Sequence, residues 1–244
     1  EERPRLPRTA LGSPVAAVEQ VIADPDGVEP DRLGGARHRD VLGPAHGREQ
    51  EIHAVRVERL GARLGSFVVG DSREPKDTKG ILSRVKDQVL AISRRLAAEH
   101  RGFSLSTAQL DDLAPFNGAL SDAQRELLSG TLRNRDITIE ARALLGTAPL
   151  DHRAIGTLLT EHQAVLRDVL RISTPKIDRM LDAALGAGAY GGKINGSGGG
   201  GCMFAYAPED PDRVAEAIER AGGVAYVVRP DEGSRVEPEE GAPR

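Results

Sequence analysis

Five of the six residues from 196 to 201 are glycine, in Gly196-Ser197-Gly198-Gly199-Gly200-Gly201. Such a run is expensive to order, because glycine loses more backbone freedom on folding than any other residue. It therefore constrains the surrounding chain more than any other stretch. Gly192-Lys193-Ile194-Asn195 reads as a strand entering the loop, and Cys202-Met203-Phe204-Ala205-Tyr206-Ala207 as a strand leaving it. Glycine allows positive φ and close approach of the backbone to a ligand, so successive N–H groups can point into one concavity and hold an anion. The competing reading is a tight hairpin turn that uses glycine for geometry alone. The loop also satisfies G-x-G-x-x-G at Gly196, Gly198 and Gly201. The dinucleotide fold, however, needs a helix directly after that loop, and here an apolar strand follows. The G-x-x-x-x-G-K-[ST] phosphate loop is absent from the sequence.

The remainder of residues 61–228 reads as one folded unit around this loop. Leu64-Gly65-Ser66-Phe67-Val68-Val69, closed by Gly70-Asp71, has the composition of a buried strand. A helix is expected from Asp77, its N-cap, with Ile81, Leu82, Val85, Val89, Ile92 and Leu96 on one face and Gly102 beyond its end. A second is expected over residues 121–145, through Leu127, Leu128, Leu132, Ile139, Leu144 and Leu145. A third, over 151–171, carries Ile155, Leu158, Leu159, Val165, Leu166, Val169 and Leu170. Thr174-Pro175 places a cap residue before a proline at the first helical position, and the helix it opens runs out at Gly186 and Gly188. A short helix over 211–221 and a last strand over Val224–Val228 follow. Strand, helices, strand, strand, helix, strand is the ferredoxin-like split β-α-β order with extra helices in its first crossover. The expected fold class is α+β, an antiparallel sheet with helices on one face.

Residues 1–60 differ from this unit. They contain no aromatic residue, and Arg, Asp, Gly and Pro recur throughout; only Val15–Ile22 reads as a helix. This segment is expected to be weakly structured or non-native in composition, and the acidic tail over 229–244 to be frayed. No long Lys/Arg block occurs and the net charge is -4, which argues against a nucleic-acid partner. The single cysteine, Cys202, cannot form an internal disulfide and fits a reducing compartment. No leader and no long apolar run is found, so neither export nor a membrane span is expected, and the expected location is cytoplasmic.

Gly192-Lys193-Ile194-Asn195-Gly196-Ser197-Gly198-Gly199-Gly200-Gly201-Cys202 resembles the third conserved motif of the GHMP kinases, the family of galactokinase, homoserine kinase and mevalonate kinase. One departure is Asn195, where threonine is usual; it keeps a hydrogen-bonding side chain. Glu161–Leu166 followed by Ile172–Asp178 is similar to the helix pair before that motif in galactokinase-like members. Val69–Lys79 resembles the segment that opens the C-terminal half. In this family a hydroxyl of a sugar, mevalonate or similar substrate attacks the γ-phosphate of ATP, so the resemblance implies ATP and Mg2+ as cofactors and a small molecule as partner. Such a transfer rests on positioning and charge neutralisation. The resemblance implies nucleotide-phosphate binding at Lys193, Gly196, Ser197, Gly198, Gly199, Gly200 and Gly201, and sets Asp71, Ser72 and Thr78 beside the substrate cleft. It assigns no metal ligand.

Neither the family's first motif nor its second, the Pro-x-x-x-Gly-Leu/Met-Ser-Ser-Ser-Ala loop that wraps the ATP phosphates, occurs in the sequence; Leu11-Gly12-Ser13 is the nearest fragment. No residue of 1–60 takes the role of the family's catalytic aspartate, so the catalytic residue is unassigned. The implied function is an ATP-dependent, galactokinase-like sugar kinase represented by a truncated chain that does not turn over substrate alone. The alternatives are a non-catalytic kinase half that binds a ligand or partner, and a defective gene product. The substrate and oligomeric state stay open. Among single residues, His162 shares the apolar face of Ile155, Leu158, Leu159 and Val165 and reads as a core histidine, with a site role as the alternative. Asn134 and Arg135 interrupt a helix and read as a buried polar contact between helices, and Cys202 as a small core residue.

Overall fold

The computed structural model describes residues 63–230, apart from Asp77 and Asn117. The expectations for residues 1–60, for the Asp77 cap and for the tail beyond Pro230 lie outside the described residues. Four strands, β1 (Phe67–Asp71), β2 (Gly191–Ile194), β3 (Cys202–Tyr206) and β4 (Val224–Val228), form one sheet in the order β2-β3-β1-β4. Every neighbouring pair is antiparallel. β1 and β2 therefore run parallel with β3 between them, which is the split β-α-β arrangement.

Among the described residues six α-helices accompany the sheet: α1 (Thr78–Leu82), α2 (Gln88–Glu99), α3 (Asp122–Leu145), α4 (His152–Ala164), α5 (Pro175–Gly186) and α6 (Pro211–Arg220). Their ends follow local rules. Ser121 and Gln124 form a capping box at α3, and Thr174 caps α5 by accepting from the Ile177 amide, with Pro175 behind it.

Strand alternation divides the sheet into two faces. Val68, Met203, Ala205, Ile194 and Ala225 point to the side covered by α5 and α6, where Ile177, Met180, Leu181, Val214 and Ile218 complete the main core. Phe67, Tyr206 and Tyr190 lie on the opposite side with Leu150 and Ile155. The helical cover is not confined to one face, because α4 crosses this second side over the edge strand β2. A Cβ on Gly191 would lie 1.9 Å from the Gly156 carbonyl oxygen, and one on Gly156 2.3 Å from that of Tyr190. Backbone touches backbone there, which only glycine on both elements permits.

The helix expected after β1 is interrupted. A π-helical turn, Ser83–Asp87, separates α1 from α2. A π turn inserts a residue and rotates all later side chains about the axis. Ile81 and Val85 accordingly pack on the main core, whereas Val89, Ile92 and Leu96 join Leu113, Phe116, Leu120, Leu128 and Leu132 in a separate helical cluster. A second π turn, Val165–Val169, ends the α4 rod. Ile139, expected on the apolar stripe of α3, is 58% exposed. Arg135 is buried, and its Nη1 donates to the carbonyls of Leu105 (2.7 Å) and Ala108 (2.6 Å), tying α3 to a loop and not to another helix. The Asn134 Oδ1 is buried with no partner among the described residues. No helix among the described residues is long and apolar enough to cross a membrane.

Candidate functional site

The loop between β2 and β3 holds all five of its glycines at positive φ: Gly196 at 91°, Gly198 at 79°, Gly199 at 70°, Gly200 at 114° and Gly201 at 75°. Two neighbouring segments clasp it. The Gly199 amide donates to the Ile172 carbonyl (2.7 Å), ahead of α5. The Gly201 amide donates to the Glu74 carbonyl (3.2 Å), and the Ser72 amide to the Gly201 carbonyl (2.9 Å), after β1. The clasps are themselves tied down. Arg84, in the first π turn, donates to the carbonyls of Leu170 (3.1 Å) and Arg171 (2.9 Å). The Thr174 hydroxyl donates to the Glu74 carboxylate. Arg73 and Arg171, one in each clasp, sit at φ of 58° and 52°, a strained region for side-chain-bearing residues.

Part of the glycine content answers to this packing. A Cβ on Gly198 would lie 2.4 Å from the Ile172 carbonyl oxygen, and one on Gly200 2.5 Å from that of Pro75. The rest of the loop looks outward in chemical terms. The amides of Gly196, Ser197, Gly198 and Gly200 have no hydrogen-bond partner among the described residues, although Ser197, Gly198 and Gly200 are buried. Backbone N–H groups in such positions are almost always paired, so several free ones in one short loop suit an external acceptor with several oxygens.

The side chains named from the sequence fall into two groups. Ser197 is buried in the loop, with its hydroxyl 3.4 Å from that of Thr78 in the first turn of α1. Asp71 ends β1 beside the loop, accepting from the Arg73 amide (2.9 Å) and pairing with its guanidinium at 3.2 Å. Ser72 is fully buried beneath the loop, its Oγ accepting from the Glu74 amide (3.2 Å). Lys193 is buried as well. Its Nζ donates to the Ile194 carbonyl (2.7 Å) and lies 5.3 Å from the Phe204 ring centroid. Burial pulls the Lys193 ammonium down to about 8. His162, half-buried on α4, is pushed down to about 4 by burial and then by the charge of Lys193. Cys202 pairs with Asp71 across the sheet, and its thiol is raised first by burial and then by that carboxylate.

Two residues of the site were not singled out in the sequence. Lys76 is exposed, with no partner among the described residues, and a Cβ on Gly201 would lie 3.9 Å from its Nζ. A basic residue just ahead of the helix after β1 was the available signal. Gln163, 5% exposed, accepts from the Ile194 amide (2.9 Å) and donates to Ser173 (3.2 Å). It carries no local signal, because its partners are distant in sequence. No group of three or more His, Cys, Asp or Glu side chains suited to a metal occurs among the described residues. The arrangement can hold a multiply charged oxyanion on backbone amides beside the Lys76 side chain; no acid–base pair is assembled there among the described residues.

The family described as "GHMP kinases C terminal" matches residues 141–224. The mevalonate kinase of Thermococcus onnurineus is 46% identical over 84 residues, which is 34% of this chain and 25% of that protein. The galactokinase of Homo sapiens is 32% identical over 156 residues, covering 59% of this chain and 37% of that protein. The chain thus matches well under half the length of these relatives. The crystal structure of Lactococcus lactis galactokinase complexed with galactose shares the fold, with a TM-score of 0.57 at 17% identity over 67% of this chain and 44% of that one. Residues 141–224, from the last turns of α3 to the first residue of β4, are a C-terminal domain of the GHMP kinase family, related to those of galactokinase and mevalonate kinase.

Proposed function

We propose that this domain supplies the nucleotide-phosphate side of an ATP-dependent kinase, located in the cytoplasm, that transfers the γ-phosphate of ATP to a hydroxyl of a sugar. The observation that carries the reading is the set of amides at Gly196, Ser197, Gly198 and Gly200 that find no partner among the described residues, in a loop whose shape is held from both sides. Phosphate oxygens are the acceptors those amides lack, and Lys76 adds a positive charge at the rim. Phosphoryl transfer asks little covalent help of the protein; fixed donors around a charged, in-line arrangement carry most of it. On this reading the Ser197 and Thr78 hydroxyls, 3.4 Å apart, would orient the phosphate, with Asp71 at the end of β1 beside the loop.

The described residues offer no metal site of their own. Magnesium characteristically arrives on nucleotide phosphates with few protein ligands, so ATP would bring it. A galactokinase aligns over 156 residues at 32% identity and a mevalonate kinase over 84 residues at 46%, so both substrates belong in the assay. Titration calorimetry with Mg-ATP, on the full chain and on Gly199→Val, tests the binding half of the proposal. Saturable binding that the substitution abolishes is expected, and no binding to the unsubstituted chain would overturn it. A coupled assay with galactose, other hexoses and mevalonate tests the rest. Turnover with mevalonate alone would replace the sugar, and binding without any turnover would leave a non-catalytic ligand-binding domain.

A further inference from the structure

The last residue of β2 turns both of its peptide groups away from the sheet. Asn195 donates its amide to the Cys202 carbonyl (2.9 Å), so hydrogen bonds to β3 fall at that position. In an antiparallel pair the adjacent residue, Ile194, must then direct its N–H and C=O to the other side. Among the described residues β2 is an edge strand, with no further strand beyond it. Two side chains fill the gap. Gln163 Oε1, from α4, accepts the Ile194 amide at 2.9 Å, and Lys193 Nζ donates to the Ile194 carbonyl at 2.7 Å. Both side chains are buried.

Gln163 is fixed in turn from its other end. Its Nε2 donates to Ser173 Oγ (3.2 Å), and Ser173 Oγ donates to the Asp178 carboxylate in the first turn of α5. Ser173 is the next residue after Ile172, whose carbonyl accepts the Gly199 amide at 2.7 Å. One amide side chain thus links the peptide that leads into the glycine loop with the segment that clasps its middle. Glutamine is suited to this link because it is both an acceptor and a donor. A carboxylate would lack the donor that Ser173 receives and would bring a buried charge close to Asp178.

We infer that Gln163 and Lys193 are positioning residues for the phosphate-binding loop, acting through the Ile194 peptide and, for Gln163, through Ser173. Lys193 serves the loop from behind, by holding its backbone, and does not reach the phosphate. The inference rests on the proposed phosphate-binding role of Gly196–Gly201. A loop of five glycines has little stiffness of its own, so the orientation of its free amides depends on what fixes its two ends. Preorganised donors are effective only while held in place.

The test uses the ligand-free full chain and reads amide hydrogen exchange residue by residue in Gln163→Met, Ser173→Ala, Lys193→Met and the Gln163→Met/Ser173→Ala pair. Gln163→Met should speed exchange at Ile194 and Gly199 by about tenfold or more, the scale set by one lost buried hydrogen bond, with β1 and β4 amides unchanged. Ser173→Ala should give a smaller rise at the same amides, and the double variant should go no further than Gln163→Met alone. Lys193→Met should loosen the loop amides without affecting β4. Calorimetry with Mg-ATP should show affinity about tenfold weaker in Gln163→Met. Unchanged loop exchange in Gln163→Met, or equal acceleration across the whole sheet, would overturn the inference. So would additive effects of Gln163→Met and Ser173→Ala. If Gln163→Met does not fold, Ser173→Ala decides by the same criterion. Absence of Mg-ATP binding to the unsubstituted chain would count against the proposed function, and the exchange data would still decide the positioning role.

Discussion

Replacing Gly198 by alanine should damage this domain more than the same change one residue later, although both positions have nearly the same φ. Gly198 has φ of 79° and Gly199 of 70°. Placing an L-residue in this region costs roughly 1–2 kcal/mol at either position. The difference lies in what the new methyl meets. At Gly199 it would sit 2.1 Å from Ile81 Cδ1, the tip of a side chain that can rotate away. At Gly198 it would sit 2.4 Å from the Ile172 carbonyl oxygen and 2.8 Å from Ile172 Cβ, where 3.4 Å or more is ordinary contact. That carbonyl cannot retreat by an ångström without breaking its 2.7 Å hydrogen bond to the Gly199 amide. Overpacking against fixed structure adds about 1–3 kcal/mol. Gly198→Ala should therefore lose about 2–5 kcal/mol and Gly199→Ala about 1–2 kcal/mol. Urea unfolding followed by circular dichroism measures both, provided the slope m stays constant. Adding Ile81→Ala to each should recover part of the loss for Gly199→Ala and none for Gly198→Ala. Equal losses at the two positions, or a change within about 0.5 kcal/mol at Gly198, would refute the argument that Ile172 clasps the loop.

Three further outcomes follow from other parts of the structure. Lys193 binds its proton less tightly when folded (about 8) than when unfolded (10.5), so the unfolded chain holds more protons between those values. Stability should rise with pH across that window, by up to about 3 kcal/mol, and Lys193→Met should lose this rise; identical pH profiles would contradict the burial of its charge. His162 is held neutral in the fold down to about 4 against an ordinary 6.5, so stability should fall as pH drops from 6.5 to 4. Its ring resonances should titrate near 4 by NMR, and a midpoint near 6.5 would place the ring in water. Arg135→Leu leaves the carbonyls of Leu105 and Ala108 without their donor and should cost about 2–4 kcal/mol in chemical denaturation. Arg133→Leu, which breaks more exposed pairs with Glu140 and Glu161, should cost under about 1 kcal/mol, and the reverse ranking would sink the account.

Much of the fold could be read from local signals. Val224–Val228 is a strand with the bounds its composition suggests, and Thr174-Pro175 opens α5 as a cap followed by proline. The first strand is displaced, running from Phe67 to Asp71 instead of starting at Leu64, because its pairing with β3 and β4 sets its limits and its own apolar run does not. The π turn at Ser83–Asp87 left no trace in a periodic pattern that fits an unbroken helix equally well. It arises where one rod must serve two cores, the sheet for Ile81 and Val85 and the helical cluster for Val89, Ile92 and Leu96.

The strand–glycine loop–strand unit at residues 192–207, and the order of its neighbours, are legible in the chain itself, because glycine's freedom of φ and the periods of helix and strand are properties of adjacent residues. Which groups hold that loop depends on contacts between distant segments. The Ile172 carbonyl, the Glu74 carbonyl and the Gln163 amide come from three separate segments. The orientation of Lys193 was decided in the same way. Strand parity sends its side chain to the face opposite Ile194, and the edge of β2, unpaired among the described residues, supplies the carbonyl that accepts its hydrogen bond. A side chain's type is fixed by the sequence; its hydrogen-bond partner is fixed by which unpaired backbone group the fold leaves within reach.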